Sequence, residues 1–181
     1  SMDLQRLNGT CFAVTGPAPF IPIAQALVVE MGGEPVHVAE ADRALYHAAL
    51  AHAANHLVTI LGQSQQMLTS IGIEDPERYM GPLVRAAVDN ALASGEGALT
   101  GPVARGDAGT VKAHLQALNE YSEHEKTGDI TDSYAALAHA TAKRAHNRGL
   151  LNDEQLGRIE NLLGESSDLS LIHISEPTRP Y

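Results

Sequence analysis

Cysteine, tryptophan and basic residues are scarce in this 181-residue chain, and each scarcity excludes a class of function. Cys11 is the only cysteine, so the chain forms no intramolecular disulfide. Lysine and arginine number 12 against 22 aspartates and glutamates, which gives a formal net charge of -10. An acidic chain of this kind lacks the basic surface that nucleic acids and anionic membranes attract. We therefore expect neither a nucleic-acid partner nor a membrane partner.

Long apolar runs and aromatic residues are missing as well. No apolar segment approaches the roughly 20 residues that a membrane-spanning helix needs, and no basic segment followed by an apolar one opens the chain. Aromatic residues make up 4% of the sequence, which argues against a surface for stacking nucleobases. These features are typical of a soluble protein, and we predict a cytoplasmic location.

A single β-α-β unit is predicted at the start of the chain. The apolar residues 10–15 indicate a short buried strand, residues 21–31 a helix closed by Gly32-Gly33, and residues 34–39 a second strand. Two parallel strands and one helix cannot bury both faces of a sheet. We therefore expect residues 1–40 to be the last part of a larger nucleotide-binding domain, and the chain to lack its earlier strands.

From residue 41 onward the apolar periodicity is helical. It predicts five helices, at residues 44–68, 76–93, 107–118, 129–147 and 153–163. The polar segment 120–128 is predicted to be a loop, Gly164 to end the last helix, and Leu137 to face the core. Residues 41–165 thus form an all-helical domain, whereas residues 166–181 have no helical period and resemble a non-native tail.

The segment of residues 99–111 (LTGPVARGDAGTV) is more constrained than a simple connector. Gly101-Pro102 ends one helix, and Asp107 stands at the N-cap of the next. Arg105 lies beside that helix N-terminus, whose free N–H groups favour anions. Arginine binds a carboxylate through two parallel bonds, and the Thr100 hydroxyl can add a third. We predict that Thr100, Arg105 and Asp107 bind a small anionic substrate; the alternative is a capped turn with an exposed arginine.

A second segment carries a family resemblance. Residues 43–49 (RALYHAA) lead into residues 53–58 (AANHLV) on an alanine-rich helix. Together with residues 99–111, this helix resembles the predicted oxidoreductases that join a Rossmann-like domain to the helical domain of unknown function 2520. Those proteins are similar to ketopantoate reductase and the β-hydroxyacid dehydrogenases. The resemblance implies a mainly α fold, with a helical domain like the C-terminal domain of 6-phosphogluconate dehydrogenase after a terminal β-α-β fragment of a Rossmann-like domain.

The resemblance also implies a reaction, the interconversion of a small keto acid and a hydroxy acid with NADP or NAD as the cofactor. In β-hydroxyacid dehydrogenases the first long helix after the nucleotide domain carries a proton-donating lysine four residues before an asparagine. Asn55 matches that asparagine, but Ala51 occupies the lysine position. We predict that Asn55 orients the substrate and that His47, one turn before Ala51, donates the proton. Otherwise His47 bonds a neighbouring carbonyl or faces water.

Motifs for a cofactor or a metal are incomplete in this chain. Gly95-Glu96-Gly97 follows a helix rather than a strand, so it is not a dinucleotide fingerprint, and no cofactor-binding residue is assigned. His52 and His56 stand four residues apart, but no further ligand follows at a matching spacing. Since a zinc site needs at least one more ligand, we predict no metal site.

Two roles therefore remain open. The alanines of the 44–68 helix allow close helix packing, so we expect a homodimer formed through helices. In the oxidoreductase hypothesis that helix and the 99–111 loop bound the substrate pocket. The rival hypothesis is a non-catalytic helical module that dimerises or binds a partner, and the alanine at position 51 favours it.

Overall fold

The computed structural model describes residues 7–172, and side chains for residues 7–164. The chain divides into two compact units, Ser1–Gly62 and Gln63–Tyr181. This division falls within a helix, whereas the sequence places a domain boundary after residue 40.

The first unit begins with the predicted β-α-β arrangement. Strand β1 is Cys11–Val14, helix α1 is Ile21–Glu30, and strand β2 is Glu34–His37. The two strands are parallel, and Cys11 is paired with Glu34 at one end of the ladder and Val14 with His37 at the other. Pro22 lies in the first turn of α1, where its missing N–H costs no helical bond.

Burial in this β-α-β unit differs from the expectation of a buried strand. Val14 is the one buried residue of β1, and Val28 is the buried residue of α1. Gly33 lies against the ring of Phe12, since a Cβ at position 33 would stand 2.6 Å from Phe12 Cδ2. Gly32 has a φ of +82°, a left-handed conformation that glycine adopts without steric cost. The strands are therefore present as predicted, but most of their side chains are exposed or half-buried.

A long helical segment follows and contains one irregular turn. A 3₁₀ turn at Glu40–Asp42 leads into α2 at Arg43–Leu50, a π-helical turn at Ala51–Asn55, and α3 at His56–Ser70. The backbone therefore stays helical across the predicted 44–68 helix. The sequence gives no sign of the π turn, because its residues are ordinary helix formers for the most part.

Three helices of the second unit form the main core of the described residues. Helix α4 spans Pro76–Ser94 and a 3₁₀ turn spans Gly95–Ala98, before α5 at Ala108–Glu125, α6 at Asp129–Asn147 and α7 at Asp153–Ile172. The core side chains come from α5, α6, α7 and the segments before α5 and α7: Val103, Ala104, Val111, Leu115, Ala138, Ala142, Ala145, Leu151, Ile159 and Leu163. The alanines of α6 let the flanking helices approach closely because they carry no bulk beyond Cβ.

Some predicted ends of these helices are wrong. The expected loop 120–128 is helical as far as Glu125, and Lys126 ends α5 in a left-handed conformation with φ of 54°. A charged sequence does not stop a helix whose polar side faces water, because glutamate is a good helix former. Gly164 does not end α7, which continues to Ile172, since one glycine costs a helix only about 1 kcal/mol.

Two further expectations concern the helical region. Leu137 was expected in the core but is 43% exposed, because the buried side of α6 is formed by Ile130, Ala138, Ala142 and Ala145. Residues 166–181 were predicted to have no helical period, but α7 continues through residues 166–172. Residues 173–181 lie outside the described residues. The fold is therefore mainly helical, with a small two-stranded parallel sheet near its start.

Candidate functional site

The π turn at Ala51–Asn55 is the most unusual backbone feature of the first unit. The N–H of His56 donates to the carbonyl oxygen of Ala51, five residues earlier, whereas the N–H of Ala51 still donates to His47 four residues earlier. Single π turns within α-helices occur frequently at functional sites, because the wider turn displaces side chains from their regular register. This turn contains both Ala51 and the candidate site residue Asn55.

His47 and Asn55 are both exposed side chains on this helical segment. Ala51 lies between them in sequence, one turn from each, so the three residues share one side of the helix. Neither His47 nor Asn55 makes a side-chain hydrogen bond or ion pair with another described residue. The sequence left open whether a non-catalytic His47 bonds a neighbouring carbonyl or faces water. In the structure its imidazole faces water.

The loop before α5 belongs to the second unit and is held by its own backbone. The N–H of Arg105 donates to the carbonyl oxygen of Gly101 over 3.2 Å, and that of Asp107 donates to Pro102 over 2.9 Å. Val103 and Ala104 between them are buried in the core. The loop is therefore anchored on both sides of the exposed Arg105 side chain.

Gly106 adds a second anchor to this loop. Its φ of +69° is left-handed, and a Cβ there would stand 3.0 Å from both Leu151 Cδ2 and Gln155 Nε2. Gln155 in turn closes the start of α7, because its N–H donates to Asn152 Oδ1 and its Oε1 accepts from the Asn152 N–H. This reciprocal arrangement is a capping box, and the backbone at Gly106 lies directly against it.

Asp107 is the N-cap of α5, as the sequence predicts. Its Oδ1 accepts from the Thr110 N–H over 3.0 Å, and its Oδ2 accepts from the Thr110 hydroxyl over 2.7 Å. The backbone and side-chain hydrogen bonds from Thr110 and the nearby charge of Arg105 hold the pKa of this carboxyl below its ordinary value, despite some opposing desolvation. Both oxygens of Asp107 are thus engaged at the helix N-terminus, and the free anion-binding groups of this loop are Arg105 and the exposed Thr100 hydroxyl.

The five predicted site residues therefore fall into two groups. His47 and Asn55 belong to the first compact unit, and Thr100, Arg105 and Asp107 belong to the second. The first two residues lie on one continuous helical segment, and the other three lie in the loop and N-cap that precede α5. Their roles in binding or catalysis stay predictions.

Several polar pairs of the second unit have no counterpart in the sequence hypotheses. His139 on α6 faces Glu160 on α7 at 3.9 Å, and His146 faces Asp153 at 2.8 Å. The shared spacing of seven residues on both helices is the signal that could have found these pairs, since it places partners on one helix face. His139 and Glu160 also line a shallow concavity of about 400 Å³ with an apolar floor of alanine and leucine side chains.

His114 and Tyr134 form another pair, between α5 and α6. His114 Nδ1 lies 3.0 Å from the Tyr134 hydroxyl, and the two rings meet edge to face. Burial raises the pKa of Tyr134 above its ordinary value, so its hydroxyl keeps its proton at neutral pH. This pair secures the contact between two core helices.

His52 and His56 are the one close histidine pair within the helical segment of the first unit as described. Their Nδ1 atoms are 3.0 Å apart, and the rings meet at 86° with centroids 5.2 Å apart. Among the described residues no group of three or more histidine, cysteine, aspartate or glutamate side chains is placed to hold a metal ion. A closed tetrahedral zinc centre therefore has no candidate in this part of the chain. Likewise, no described helix is both long and apolar enough to span a membrane.

These features define a mainly helical protein with a short parallel sheet and an exposed asparagine on a π turn. The model of the domain of unknown function DUF2520 matches residues 10–141, and the chain belongs to this family. The predicted family resemblance is thereby confirmed as far as this domain, whereas the relation to ketopantoate reductase stays a prediction.

One solved structure has a similar fold. Protein TM1727 from Thermotoga maritima is similar to this chain with 25% sequence identity and a TM-score of 0.64. The match covers 78% of this chain and 56% of that protein, so this chain spans a little over half the length of its structural relative. The comparison with curated proteins gave no match.

Proposed function

We propose that this chain is the helical, substrate-binding part of an NAD(P)-dependent oxidoreductase that acts on a small keto or hydroxy acid. The proposal includes a relation to ketopantoate reductase, a helical domain of the 6-phosphogluconate dehydrogenase type, a homodimer and a cytoplasmic location. The π turn at Ala51–Asn55 is the observation that carries it. An irregular turn at the position where related dehydrogenases hold their lysine and asparagine is expected if the side chains there contact a substrate.

His47 is proposed as the proton donor in the reducing direction. Its imidazole is exposed and makes no contact with a partner in the described part of the chain, so it is free to reach a substrate. An imidazolium gives its proton to the carbonyl oxygen as that carbon becomes tetrahedral. Asn55, on the same side of the helix, is proposed to donate a hydrogen bond that orients the substrate.

Arg105 is proposed to bind the substrate carboxylate. The loop that carries it is fixed by buried Val103 and Ala104 and by the close packing of Gly106. A site on a rigid backbone loses less conformational entropy when its ligand binds. Thr100 adds a hydroxyl donor, and Asp107 is proposed to contribute through its cap, which holds the loop in place.

The described residues do not fit a bound dinucleotide. The turn between β1 and α1 (residues 15–20, TGPAPF) contains one glycine and two prolines, and Pro22 removes a further N–H from the start of α1. A pyrophosphate needs several free N–H groups and close backbone approach at such a turn. NADP or NAD therefore stays a proposal for the whole protein, and no described residue is assigned to the cofactor.

Turnover by the polypeptide of the complete reading frame, with NADPH or NADH and a panel of 2-keto and 3-keto acids, tests the proposal. Arg105→Ala should raise KM by about 10- to 100-fold, the loss expected for a bidentate charged contact. His47→Ala should lower kcat by about 10²- to 10⁴-fold. His124→Ala removes an exposed histidine of α5 and serves as the matched control. Unchanged kinetics in both site variants would refute the assigned roles.

A second candidate function is a non-catalytic module that pairs with another copy of this chain through its helices. Exposed apolar side chains favour it: in the second unit Leu83 and Leu92 on α4 are 73% and 83% exposed. In the first unit Leu45 and Val58 are 74% and 70% exposed. Apolar side chains on long helices are a common basis of self-association, because pairing removes them from water.

Sedimentation velocity over a range of concentrations tests the self-association on which this candidate depends. Because the oxidoreductase hypothesis also includes a homodimer, the turnover assay is the measurement that separates the two. If α4 mediates pairing, Leu83→Glu should shift the dimer to monomer, because a charge at the interface must lose its hydration. Lys112→Glu on α5, which changes charge without touching an apolar side chain, is the matched control. A monomer in the unsubstituted protein contradicts the pairing module, whatever the outcome of the turnover assay.

A further inference from the structure

His52 and His56 lie four residues apart on the helical segment that contains the π turn, and their side chains are close together. In an α-helix residues i and i+4 are offset by about 40° around the axis, at 100° per residue. The Nδ1 atoms of the two rings lie 3.0 Å apart on exposed side chains.

This separation matches one particular metal geometry. Metal–imidazole bonds are about 2.0–2.1 Å long, so two nitrogens at a right angle around an ion stand about 3.0 Å apart, and at a tetrahedral angle about 3.4 Å. The observed 3.0 Å is the right-angled spacing. Right-angled nitrogen ligands are typical of the tetragonal ions Cu²⁺ and Ni²⁺.

We propose that His52 and His56 form a two-histidine chelate site for a divalent tetragonal ion, Cu²⁺ or Ni²⁺. The two Nδ1 atoms occupy neighbouring equatorial positions, and water fills the other positions. In the metal-free protein one Nδ1 donates a proton to the other. When the ion binds, that ring carries its proton on Nε2 instead, so each Nδ1 offers a lone pair and no electron is transferred.

The surroundings of the pair are consistent with such a site. Residues 44–73 contain no aspartate, glutamate, lysine or arginine, so no charged side chain of this helical segment pairs with the two imidazoles or repels a bound cation; His47 is the third histidine of the segment. The sequence argument against zinc, the missing third ligand, does not apply here, because a tetragonal ion accepts two protein ligands and several waters. The site is independent of the proposed oxidoreductase function.

The test uses the untagged chain, titrated with CuCl₂ and separately with NiCl₂, with binding followed by calorimetry and frozen-solution EPR of the Cu²⁺ form. We expect one ion per chain and an axial EPR signal with two equatorial nitrogens. His52→Ala and His56→Ala should each weaken binding by about tenfold or more, because a single imidazole cannot chelate. His124→Ala, which removes an exposed histidine elsewhere, should leave the affinity unchanged.

A relocated pair distinguishes chelation from simple histidine content. The double variant His52→Ala with Ala54→His keeps two histidines on the same helical segment but separates them by two residues, so the side chains do not face each other. It should bind as weakly as the single variants, and circular dichroism checks that the helix is retained. Full affinity in the relocated variant, or in His52→Ala, would overturn the proposal. So would an EPR signal that lacks the two equatorial nitrogens.

Discussion

The two compact units bury their apolar side chains to very different degrees. In the β-α-β part of the first unit, Phe20, Ile23 and Leu27 on or beside α1 are 63%, 60% and 56% exposed, although Val28 on the opposite side is buried. In the second unit, Val111, Ala142 and Ile159 are fully buried among α5, α6 and α7. Helix α1 is thus apolar on both sides, whereas α5–α7 are apolar on one. The second unit therefore gains far more stability from its own core.

A core substitution in the second unit should cause the largest loss of stability. Ile159→Ala removes a fully buried side chain from the contact of α7 with α5 and α6, and should lower the free energy of unfolding by about 2–5 kcal/mol. Urea denaturation followed by circular dichroism measures it. Leu92→Ala, at a position 83% exposed, should change stability by less than about 0.5 kcal/mol. Equal losses in the two variants would contradict the assignment of the core.

A glycine substitution tests the first unit by itself. Gly33→Ala places a Cβ 2.6 Å from the Phe12 ring, which must shift, and should destabilise the β-α-β unit by about 1–3 kcal/mol. Hydrogen exchange of the β1 amides reads this locally, and exchange in α6 should stay unchanged. Gly16→Ala is the matched control, because nothing lies within 4 Å of its added Cβ. Slower exchange in β1 after Gly33→Ala would contradict the packing described.

The smallest expected effect concerns the cap of α5 and its dependence on pH. The pKa of Asp107 is lower in the folded protein than its ordinary value of 3.8, so the charged form stabilises the fold above that pH. This contribution should be lost as the pH falls below 3.8 and through the folded pKa. Asp107→Ala should therefore lower the thermal midpoint at pH 7, by less than Ile159→Ala does, and the difference from the unsubstituted protein should shrink at pH 3.

Asp107→Asn separates the cap from its charge. Asparagine is also a good N-cap, so this variant should retain much of the stability of the unsubstituted protein at pH 7. Its thermal midpoint should not depend on pH through position 107. An equal pH dependence in Asp107→Asn and the unsubstituted protein would show that other carboxyl groups are responsible.

The sequence predicted well wherever a local signal and the core agreed. Helix α6 spans Asp129–Asn147 in the structure as in the prediction, and Asp107 is the N-cap of α5 as predicted. The predicted helix end at Gly164 and the predicted loop at 120–128 were wrong. A helix with core contacts tolerates one glycine, and its solvent-facing side can be charged. The expected burial of Leu137 was wrong because apolar periodicity shows which side of a helix is buried, but not how far the buried side extends around the helix.

The candidate site was harder to predict than the fold. The sequence predicted Asn55 from a family pattern and Arg105 from the loop before α5, and both roles stay predictions. The π turn around Asn55 has no sequence signature of its own. The sequence showed that His52 and His56 are four residues apart, but not the mutual orientation of their rings, which brings the two Nδ1 atoms within 3.0 Å. The proposed chelate rests on that orientation.

Gln155 lies against two parts of the structure at once, so a change of its side chain affects both. Its side chain closes the beginning of α7 and also touches the backbone beside Arg105. A larger or shorter side chain at 155 would disturb the arginine without contacting any ligand. Natural drift at this position should therefore be accompanied by compensating changes in the turn around Gly106, so the two sites are expected to evolve together.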